Sequence, residues 1–428
     1  MNVFKFGGAA LRDAARIKNV SAIIRDHADK PLLVVVSAMG KTTDRLEEIA
    51  ALPPSGSGLR HALLSLRQHH EGIVCDLFSE PDNTLAAVAG LFADLEVATS
   101  STDAPDCRYD QIVSIGELLS STILHHYLQS IEVPCCWLDA RRCIFTDNGY
   151  REGIVNWEVT SRHVLEIVPP LIRASVVITQ GFIGGSAEGK TTTLGREGSD
   201  FTAAIFGASL RADSVTIWKD VAGVMSADPK RTPHATVFSE LPFREAAEMT
   251  YYGASVIHPK TIKPLANLDI PLLVKNFDNP GLPGTRIHEC TVKNLPPLVV
   301  IKDNQCLISC KVTDYTFVSE QQLSVIFNAL SELKVRINMM QNSAISFSFC
   351  IDFREDKITR LIQRLQQYFE VSYNTRLTLI TVKNYDVSTY EAYRRTPGVV
   401  LEQSSRSTLQ VLVKDYQGIH PNPPTKTD

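Results

Sequence analysis

The sequence lacks the features that would mark a membrane protein, a nucleic-acid binder or a disulfide-rich secreted protein. No apolar run in its 428 residues approaches the ~20 residues that a membrane-spanning helix needs. The net charge of −4 gives no broad electrostatic footprint for nucleic acid or a membrane surface. Its nine cysteines form no C-x-x-C pair, so they predict neither a metal site nor a disulfide framework. The start, MNVFKFGG, has no signal-peptide layout, and we expect a cytoplasmic protein with reduced thiols.

What the sequence does contain is a regular alternation of apolar strands and amphipathic helices. Residues 3–6 and 31–38 read as strands, and residues 11–27 between them as a helix. This β–α–β opening predicts parallel strands joined by a right-handed crossover. Further strands are predicted at 133–138, 174–182, 213–218 and 270–275. We therefore predict an α/β domain over residues 1–285, with a mainly parallel open sheet and helices on both faces.

The pattern changes after the PGLPG segment at residues 280–284, where we place a linker. Residues 298–374 read as β-α-β-β-α-β, the ferredoxin-like order. A shorter second set of strands follows in 375–416, and residues 385–397 are too few for a complete helix and strand. Residues 417–428 have the composition of a disordered tail.

A Walker A pattern occurs at residues 184–191 (GGSAEGKT), but its context is wrong for a phosphate-binding loop. Such a loop requires a helix to begin at the Lys-Thr pair. The following residues, 191–198, contain three threonines and two glycines, which disfavour a helix. We interpret the match as coincidental and place the first helix start near residue 199.

Charged and glycine-rich segments follow several predicted strands, and ligands bind at the carboxyl ends of strands in open α/β sheets. Lys5 ends a buried strand and is followed by two glycines, which suits contact with phosphate. Hydroxyls follow at residues 37–43, a carboxylate at Glu117, and charged turns at 219–230. The structural alternatives are a surface lysine, helix capping, favourable placement at a helix dipole and ordinary charged turns.

Taken together and in order, the motifs resemble those of aspartate kinases in the amino acid kinase family. They are KFGG (5–8), SAMGKTTD (37–44), SIGE (114–117), TTLGREGSD (192–200), WKDVAGV (218–224) with ADPK (227–230), and YYGASVIHPKTI (251–262). The resemblance covers nearly the whole chain. It implies a kinase domain followed by regulatory ACT domains, and the reaction of ATP with L-aspartate to give 4-phospho-L-aspartate, an entry step to lysine, threonine and methionine synthesis.

The resemblance also implies roles for individual residues. The implied catalytic residues are Lys5 and Asp200, and the implied aspartate-binding residues are Thr43, Glu117, Arg196 and Ser199. The implied ATP-binding residues are Lys5, Gly7, Gly8, Ser37, Lys219, Asp220, Met225, Asp228 and Lys230. The cofactor would be ATP with Mg²⁺, with no metal site built by the protein alone. An effector amino acid would contact Asn338, Met339, Gln341, Ser343 and Ile345, for which a plain subunit interface is the alternative. ACT domains imply a homodimer or a higher homo-oligomer.

Departures from the family pattern leave alternatives open. Glu197 stands where the family more often has glycine, and a backbone with positive φ there would cost on the order of 1–2 kcal/mol. Lys219 stands at a common threonine position and Ser255 at a common lysine position, so we hypothesise that Lys219 supplies the missing ammonium group. The alternative functions are a glutamate-type carboxylate kinase and a catalytically impaired kinase that senses amino acids through its ACT domains.

Overall fold

The computed structural model describes residues 1–232, 235–254, 257–292, 295–313, 316–416 and 418. The chain divides into two compact units. The first comprises the described residues of 1–224, 237–250 and 255–292, and the second those of 225–236, 251–254 and 293–428. The predicted boundary near residue 285 therefore differs from the observed division, because two short segments of the first part group with the second unit. The predicted tail at 417–428 lies outside the described residues, apart from residue 418.

Strands and helices are interspersed through residue 288, with five successive helices between residues 42 and 130. In chain order they are β1 (Asn2–Phe6), α1 (Ala14–Arg25), β2 (Leu32–Val36), α2 (Thr42–Ala51), α3 (Ser57–Leu77), α4 (Asp82–Thr99), α5 (Pro105–Val113), α6 (Ile115–Ser130), β3 (Cys135–Leu138), β4 (Phe145–Thr146), α7 (Trp157–Ala174), β5 (Val176–Gln180), β6 (Ile183–Ser186), β7 (Thr191–Thr193), α8 (Gly198–Ser209), β8 (Ser214–Lys219), β9 (Glu240–Pro242), α9 (Phe243–Tyr252), α10 (Pro259–Ala266), β10 (Leu272–Asn276) and β11 (Thr285–His288).

Eight of these strands form one sheet in the order β3-β5-β2-β1-β8-β10-β11-β9. The pairs from β3 through β10 are parallel, and β10 pairs with β11 in the antiparallel sense. Every residue of β2 is buried, which explains its unbroken apolar sequence, since helices cover both faces of a parallel sheet. The predicted α/β class with a mainly parallel sheet is confirmed.

The segment with the Walker A pattern is a β-hairpin and not a phosphate-binding loop. Strands β6 and β7 pair in the antiparallel sense, with Gly184 opposite Thr192. Gly189 has φ +75° in the turn between them, a conformation that glycine adopts without strain. The helix that follows, α8, begins only at Gly198, close to the start predicted at residue 199. The hairpin thus leads directly into the Gly195–Asp200 segment.

The second unit contains one six-stranded antiparallel sheet. Its elements are β12 (Leu298–Lys311), α11 (Glu320–Glu332), β13 (Ile337–Asn342), β14 (Ser346–Asp352), α12 (Glu355–Leu365), β15 (Glu370–Lys383), α13 (Val387–Arg394), β16 (Val399–Ser404) and β17 (Thr408–Lys414). The strand order is β13-β14-β12-β15-β17-β16. Strands β12 and β15 each run through 14 residues and pair along their length, so they belong to both ferredoxin-like halves.

The second half is more complete than the sequence indicated. Residues 298–302 of β12 pair with residues 379–383 of β15, so a strand that precedes the first half completes the second. Helix α13 occupies part of the segment that we judged too short. Sequence spacing missed this because the missing strand lies about 80 residues upstream in the chain. In the described part of the chain, no helix combines the length and the apolar character that crossing a membrane requires.

Candidate active site

Lys5 lies in β1, a central strand of the large sheet, and its side chain contacts the first turn of α8. Residue 5 is flanked in register by Val35 of β2 and Ile217 of β8, so its backbone is fully enclosed. Its Nζ lies 2.6 Å from Oδ1 of Asp200, in the first turn of α8. Lys5 is 8% exposed and Asp200 3% exposed. A buried lysine is tolerated because it is paired with a buried carboxylate.

A second lysine approaches the same carboxylate. Nζ of Lys219, the last residue of β8, lies 3.8 Å from Oδ2 of Asp200. Burial raises the pKa of Asp200, but the charges of Lys5 and Lys219 outweigh this effect and hold the pKa below its usual range. Asp200 is therefore ionised at neutral pH, and one carboxylate orients two cationic side chains.

These residues open into a cavity of about 620 Å³ at the carboxyl ends of β1, β2 and β8. Predicted site residues that line it are Lys5, Ser37, Thr43, Glu117, Arg196, Ser199, Asp200 and Lys219. They come from strand ends, from helix starts and from the loop after the β6–β7 hairpin. The fold thus brings together side chains that are spread over more than 200 positions of the sequence.

Glu117 is a second buried carboxyl group of the cavity, and its pKa is raised. It lies in the first turn of α6, is 2% exposed, and its Oε1 accepts a hydrogen bond of 3.3 Å from the Ala38 N–H. Its Oε2 is buried and has no hydrogen-bond partner among the described residues. Burial raises the pKa of Glu117 to about 8, although the Ala38 N–H and the charge of Lys5 oppose the rise. A cationic group that entered the cavity would find an acceptor here.

Gly8 allows two loops to meet next to Lys5. A Cβ at Gly8 would lie 2.6 Å from the Ala38 carbonyl oxygen and 2.9 Å from that of Gly40, so only glycine fits. The Gly40 N–H donates a 2.9 Å hydrogen bond to the Gly8 carbonyl. Gly8 therefore fixes the approach of residues 37–40, beside the cavity that Ser37 lines.

The comparison with protein families agrees with this arrangement. Residues 1–276 match the model described as "Amino acid kinase family". The chain belongs to the amino acid kinase family. This match covers every strand of the large sheet except β11. It confirms the family that the sequence motifs indicated.

Curated relatives in this family place the resemblance closer to aspartate kinases. The chain is 31% identical, over 86% of its length, to a bifunctional aspartokinase/homoserine dehydrogenase of Daucus carota. It spans only 42% of the length of that relative. It is 29% identical to an aspartokinase of Chlamydia trachomatis, with 97% of this chain and 95% of the relative covered.

A solved structure gives the same picture for the fold. The crystal structure of E. coli aspartokinase III in complex with aspartate and ADP has a TM-score of 0.83 and 26% identity to this chain. The likeness covers 97% of this chain and 96% of that one. The resemblance to aspartate kinases therefore extends over both compact units, as the sequence motifs predicted.

The structure adds residues of the cavity that the motifs did not indicate. These are Glu47, Tyr109, Arg151, Glu152 and Phe182. Gly195, Glu197 and Gly198 also line the cavity and belong to the TTLGREGSD motif. The Arg151 guanidinium lies 3.9 Å from the centre of the Tyr109 ring and pairs with Asp106. The Tyr109 hydroxyl donates to Glu47. Arg151 has a left-handed backbone (φ 68°), a structural feature that the sequence analysis did not predict.

A buried carboxylate holds that wall to the hairpin. Asp110 is fully buried and accepts the Arg151 N–H at 3.0 and 3.1 Å. It also accepts the N–H and hydroxyl of Thr193, at 2.8 and 2.9 Å. Burial raises the Asp110 pKa, and these hydrogen bonds only partly offset the rise. Asp110 thus joins the loop of Arg151 to the strand that leads into Gly195 and Arg196.

Other predicted residues lie elsewhere. Asp220 is exposed just after β8. The predicted nucleotide-binding residues Met225, Asp228 and Lys230 belong to the second compact unit, and their roles stay predictions. Ser255, the departure paired with Lys219, lies outside the described residues.

The predicted effector residues lie in β13 and in the turn between β13 and β14, in the second unit. Met339 is 3% exposed and packs in the core with Cys350, so its side chain is not available to a ligand. The Asn338 amide donates to Gln305 and Asp352, at 2.8 and 2.9 Å. The other predicted residues, Gln341, Ser343 and Ile345, are exposed.

Proposed function

We propose that this protein is an aspartate kinase, which transfers the γ-phosphoryl group of ATP to the β-carboxylate of L-aspartate. The observation that carries the proposal is the buried Lys5–Asp200 ion pair of 2.6 Å in a cavity that Arg196 and Glu117 also line. One end of this cavity is suited to phosphate and the rest to an amino acid. The aspartokinase relatives and the E. coli aspartokinase III complex support the same assignment.

The chemistry requires little from the protein beyond positioning and charge. A β-carboxylate with a pKa of about 3.9 is already ionised at neutral pH, so no general base is required. The transferring phosphoryl group carries negative charge that must be stabilised in the transition state. Lys5 supplies a positive charge there, and Asp200 keeps its ammonium group oriented through the 2.6 Å contact.

The amino acid end has complementary groups for each charge of aspartate. Arg196 is exposed to the cavity and makes no ion pair among the described residues, so its guanidinium can bind the α-carboxylate through two hydrogen bonds. Glu117 offers an unpaired oxygen to the α-ammonium group. Thr43 and Ser199 add hydroxyl groups to the wall of the cavity.

At the nucleotide end, Lys219 approaches Oδ2 of Asp200, whereas Lys5 pairs with Oδ1. Its position supports the hypothesis that Lys219 contributes an ammonium group to nucleotide binding. Gly7, Gly8 and Ser37 border the path of the phosphates, and Asp220 follows Lys219 at the strand end. Mg²⁺ would be held mainly by the phosphates of ATP, because in such sites only one or two protein carboxylates bind the ion. Asp200 is the carboxylate that would contribute here.

The assay for this function is ADP release with L-aspartate and L-glutamate in parallel. We expect turnover with L-aspartate and at least tenfold lower kcat/KM with L-glutamate, because one extra methylene is discriminated about 10- to 200-fold by packing. Higher kcat/KM with L-glutamate would replace aspartate kinase with a glutamate-type kinase. Binding of ATP and L-aspartate without ADP release would favour an amino acid sensor.

The second unit supports a regulatory role and self-association. Strand β13 is at the edge of the six-stranded sheet, so its outer backbone groups can pair with another chain. Met340, within β13, is 49% exposed, and Ile345, in the turn after β13, is 46% exposed. A homodimer through this edge would bury both, and Gln341 and Ser343 would then lie at the interface where an amino acid effector could bind. Light scattering of the purified protein, with and without lysine or threonine, tests both points.

A further inference from the structure

Glu197 adopts a backbone conformation that favours glycine. Its φ and ψ are 55° and 27°, in the left-handed region, immediately before α8. The Glu197 carbonyl accepts the N–H groups of Asp200 and Phe201, both at 3.1 Å, so this conformation starts the helix that carries Asp200. Glycine would meet this requirement without strain. Strained non-glycine residues cluster at functional sites, which directs attention to the Glu197 side chain.

The side chain of Glu197 leaves one carboxylate oxygen unsatisfied. Glu197 lines the cavity, and its Oε2 is buried without a hydrogen-bond partner among the described residues. Glu117, which is 2% exposed and also lines the cavity, likewise has a buried Oε2 without a partner among the described residues. Buried polar atoms are almost always hydrogen-bonded, so two such oxygens in one cavity point to donors that a ligand supplies.

The cations of the cavity do not satisfy these oxygens. Lys5 and Lys219 are directed to Asp200, and Arg151 pairs with Asp106. Arg196, the other cation that lines the cavity, is not a hydrogen-bond partner of either oxygen. The described residues contain no group of three or more His, Cys, Asp or Glu side chains that could hold a metal ion. The missing donor therefore comes from a substrate that carries positive charge.

The position of Glu197 next to Arg196 identifies that substrate group. An α-amino acid carries a carboxylate and an ammonium group on the same carbon atom, and consecutive residues 196 and 197 carry the complementary charges. An ammonium group has three N–H donors, which one carboxylate does not exhaust.

We infer that Glu197, together with Glu117, accepts the α-ammonium group of the amino acid substrate and so restricts the site to substrates that bear an amino group. This inference rests on the proposed function and deepens it. Glu197 is then a specificity-determining residue: it distinguishes an α-amino dicarboxylate from a dicarboxylate of the same length without the amino group.

The test compares Glu197→Gln and Glu197→Gly with a matched control pair. Glu132 has the same left-handed backbone (φ 60°) but is exposed after α6 and does not line the cavity. Glu132→Gln and Glu132→Gly therefore reproduce the chemical and backbone changes away from the site. The measured quantities are KM for L-aspartate, KM for ATP, and the inhibition constant of succinate, which has both carboxylates but no ammonium group.

We expect both Glu197 variants to raise KM for L-aspartate by about 10- to 100-fold, the range for losing a hydrogen bond to a charged group. The succinate constant and KM for ATP should change less than threefold, and the Glu132 variants should match wild type. Equal losses for aspartate and succinate, or an unchanged KM for L-aspartate, would overturn the inference. A raised Mg²⁺ requirement with unchanged KM for L-aspartate would also overturn it.

Failure of the proposed function is distinguishable from failure of this inference. Calorimetric binding of L-aspartate and succinate requires no turnover and applies to the same variants. If wild type binds L-aspartate but does not phosphorylate it, the kinase assignment fails. In that case, a loss of L-aspartate affinity in Glu197→Gln, with succinate unaffected, still supports the ammonium-binding role, and equal affinities in both proteins refute it.

Discussion

The raised pKa of Glu117 predicts a pH profile for the use of L-aspartate. Burial raises this pKa to about 8. Only the ionised carboxylate attracts an ammonium group, so the productive fraction of enzyme rises with pH. With a pKa of about 8, the ionised fraction is about 1% at pH 6 and about half at pH 8, an increase of about 50-fold.

The assay is kcat/KM for L-aspartate between pH 6 and 9 at saturating ATP and Mg²⁺, because this ratio reports ionisations of the enzyme before aspartate binds. We expect a slope near one log unit per pH unit below pH 8 and a plateau above. Glu117→Gln should lower kcat/KM at pH 8.5 by about 10- to 100-fold and abolish the slope. The control Glu132→Gln should keep the wild-type profile. A wild-type profile that is flat from pH 6 to 8, or a slope that persists in Glu117→Gln, would refute the reasoning.

Three further predictions concern the ion pair, the buried carboxylate and the second lysine. Lys5→Met should lower kcat at least about 100-fold in the ADP-release assay, and thermal unfolding should show a loss below the about 3–5 kcal/mol of a fully broken buried pair, because Asp200 loses its 2.6 Å partner but keeps Lys219 at 3.8 Å; wild-type kcat would contradict its role. Asp110→Asn should lose about 1–3 kcal/mol in urea unfolding and raise KM for L-aspartate, since one oxygen acceptor is lost; unchanged stability would count against it. Lys219→Ala should raise KM for ATP, and unchanged KM and kcat would remove Lys219 from the nucleotide site.

Much of the site could be predicted because its residues lie in short, ordered motifs at strand ends. Lys5 stood out as a charged residue that closes a buried strand, and in the structure its Nζ lies 2.6 Å from Oδ1 of Asp200. The Walker A pattern was dismissed on local grounds alone, because threonines and glycines followed it. The sequence also indicated that Glu197 would be strained if its backbone had a positive φ. The observed φ of 55° meets that condition.

Other features depend on contacts between distant segments, which no local pattern reports. Asp110 joins Arg151 and Thr193, which are 41 and 83 positions away in the chain. Strand β12 pairs with β15 in both halves of the second unit, although the sequence pattern predicted a strand that belongs to the first half only. The alternation of strand faces could have shown that Met339 turns inward, but the register shift between residues 337 and 339 changes that alternation.

The central claim is that the phosphoryl group moves to the β-carboxylate of L-aspartate. The most direct measurement traps the product of enzyme, ATP and L-aspartate with hydroxylamine and identifies the hydroxamate by mass spectrometry against both standards. The account predicts β-aspartyl hydroxamate, formed at the rate of ADP release and absent with Lys5→Met. ADP release without any hydroxamate, or a hydroxamate on the α-carboxylate, would contradict it.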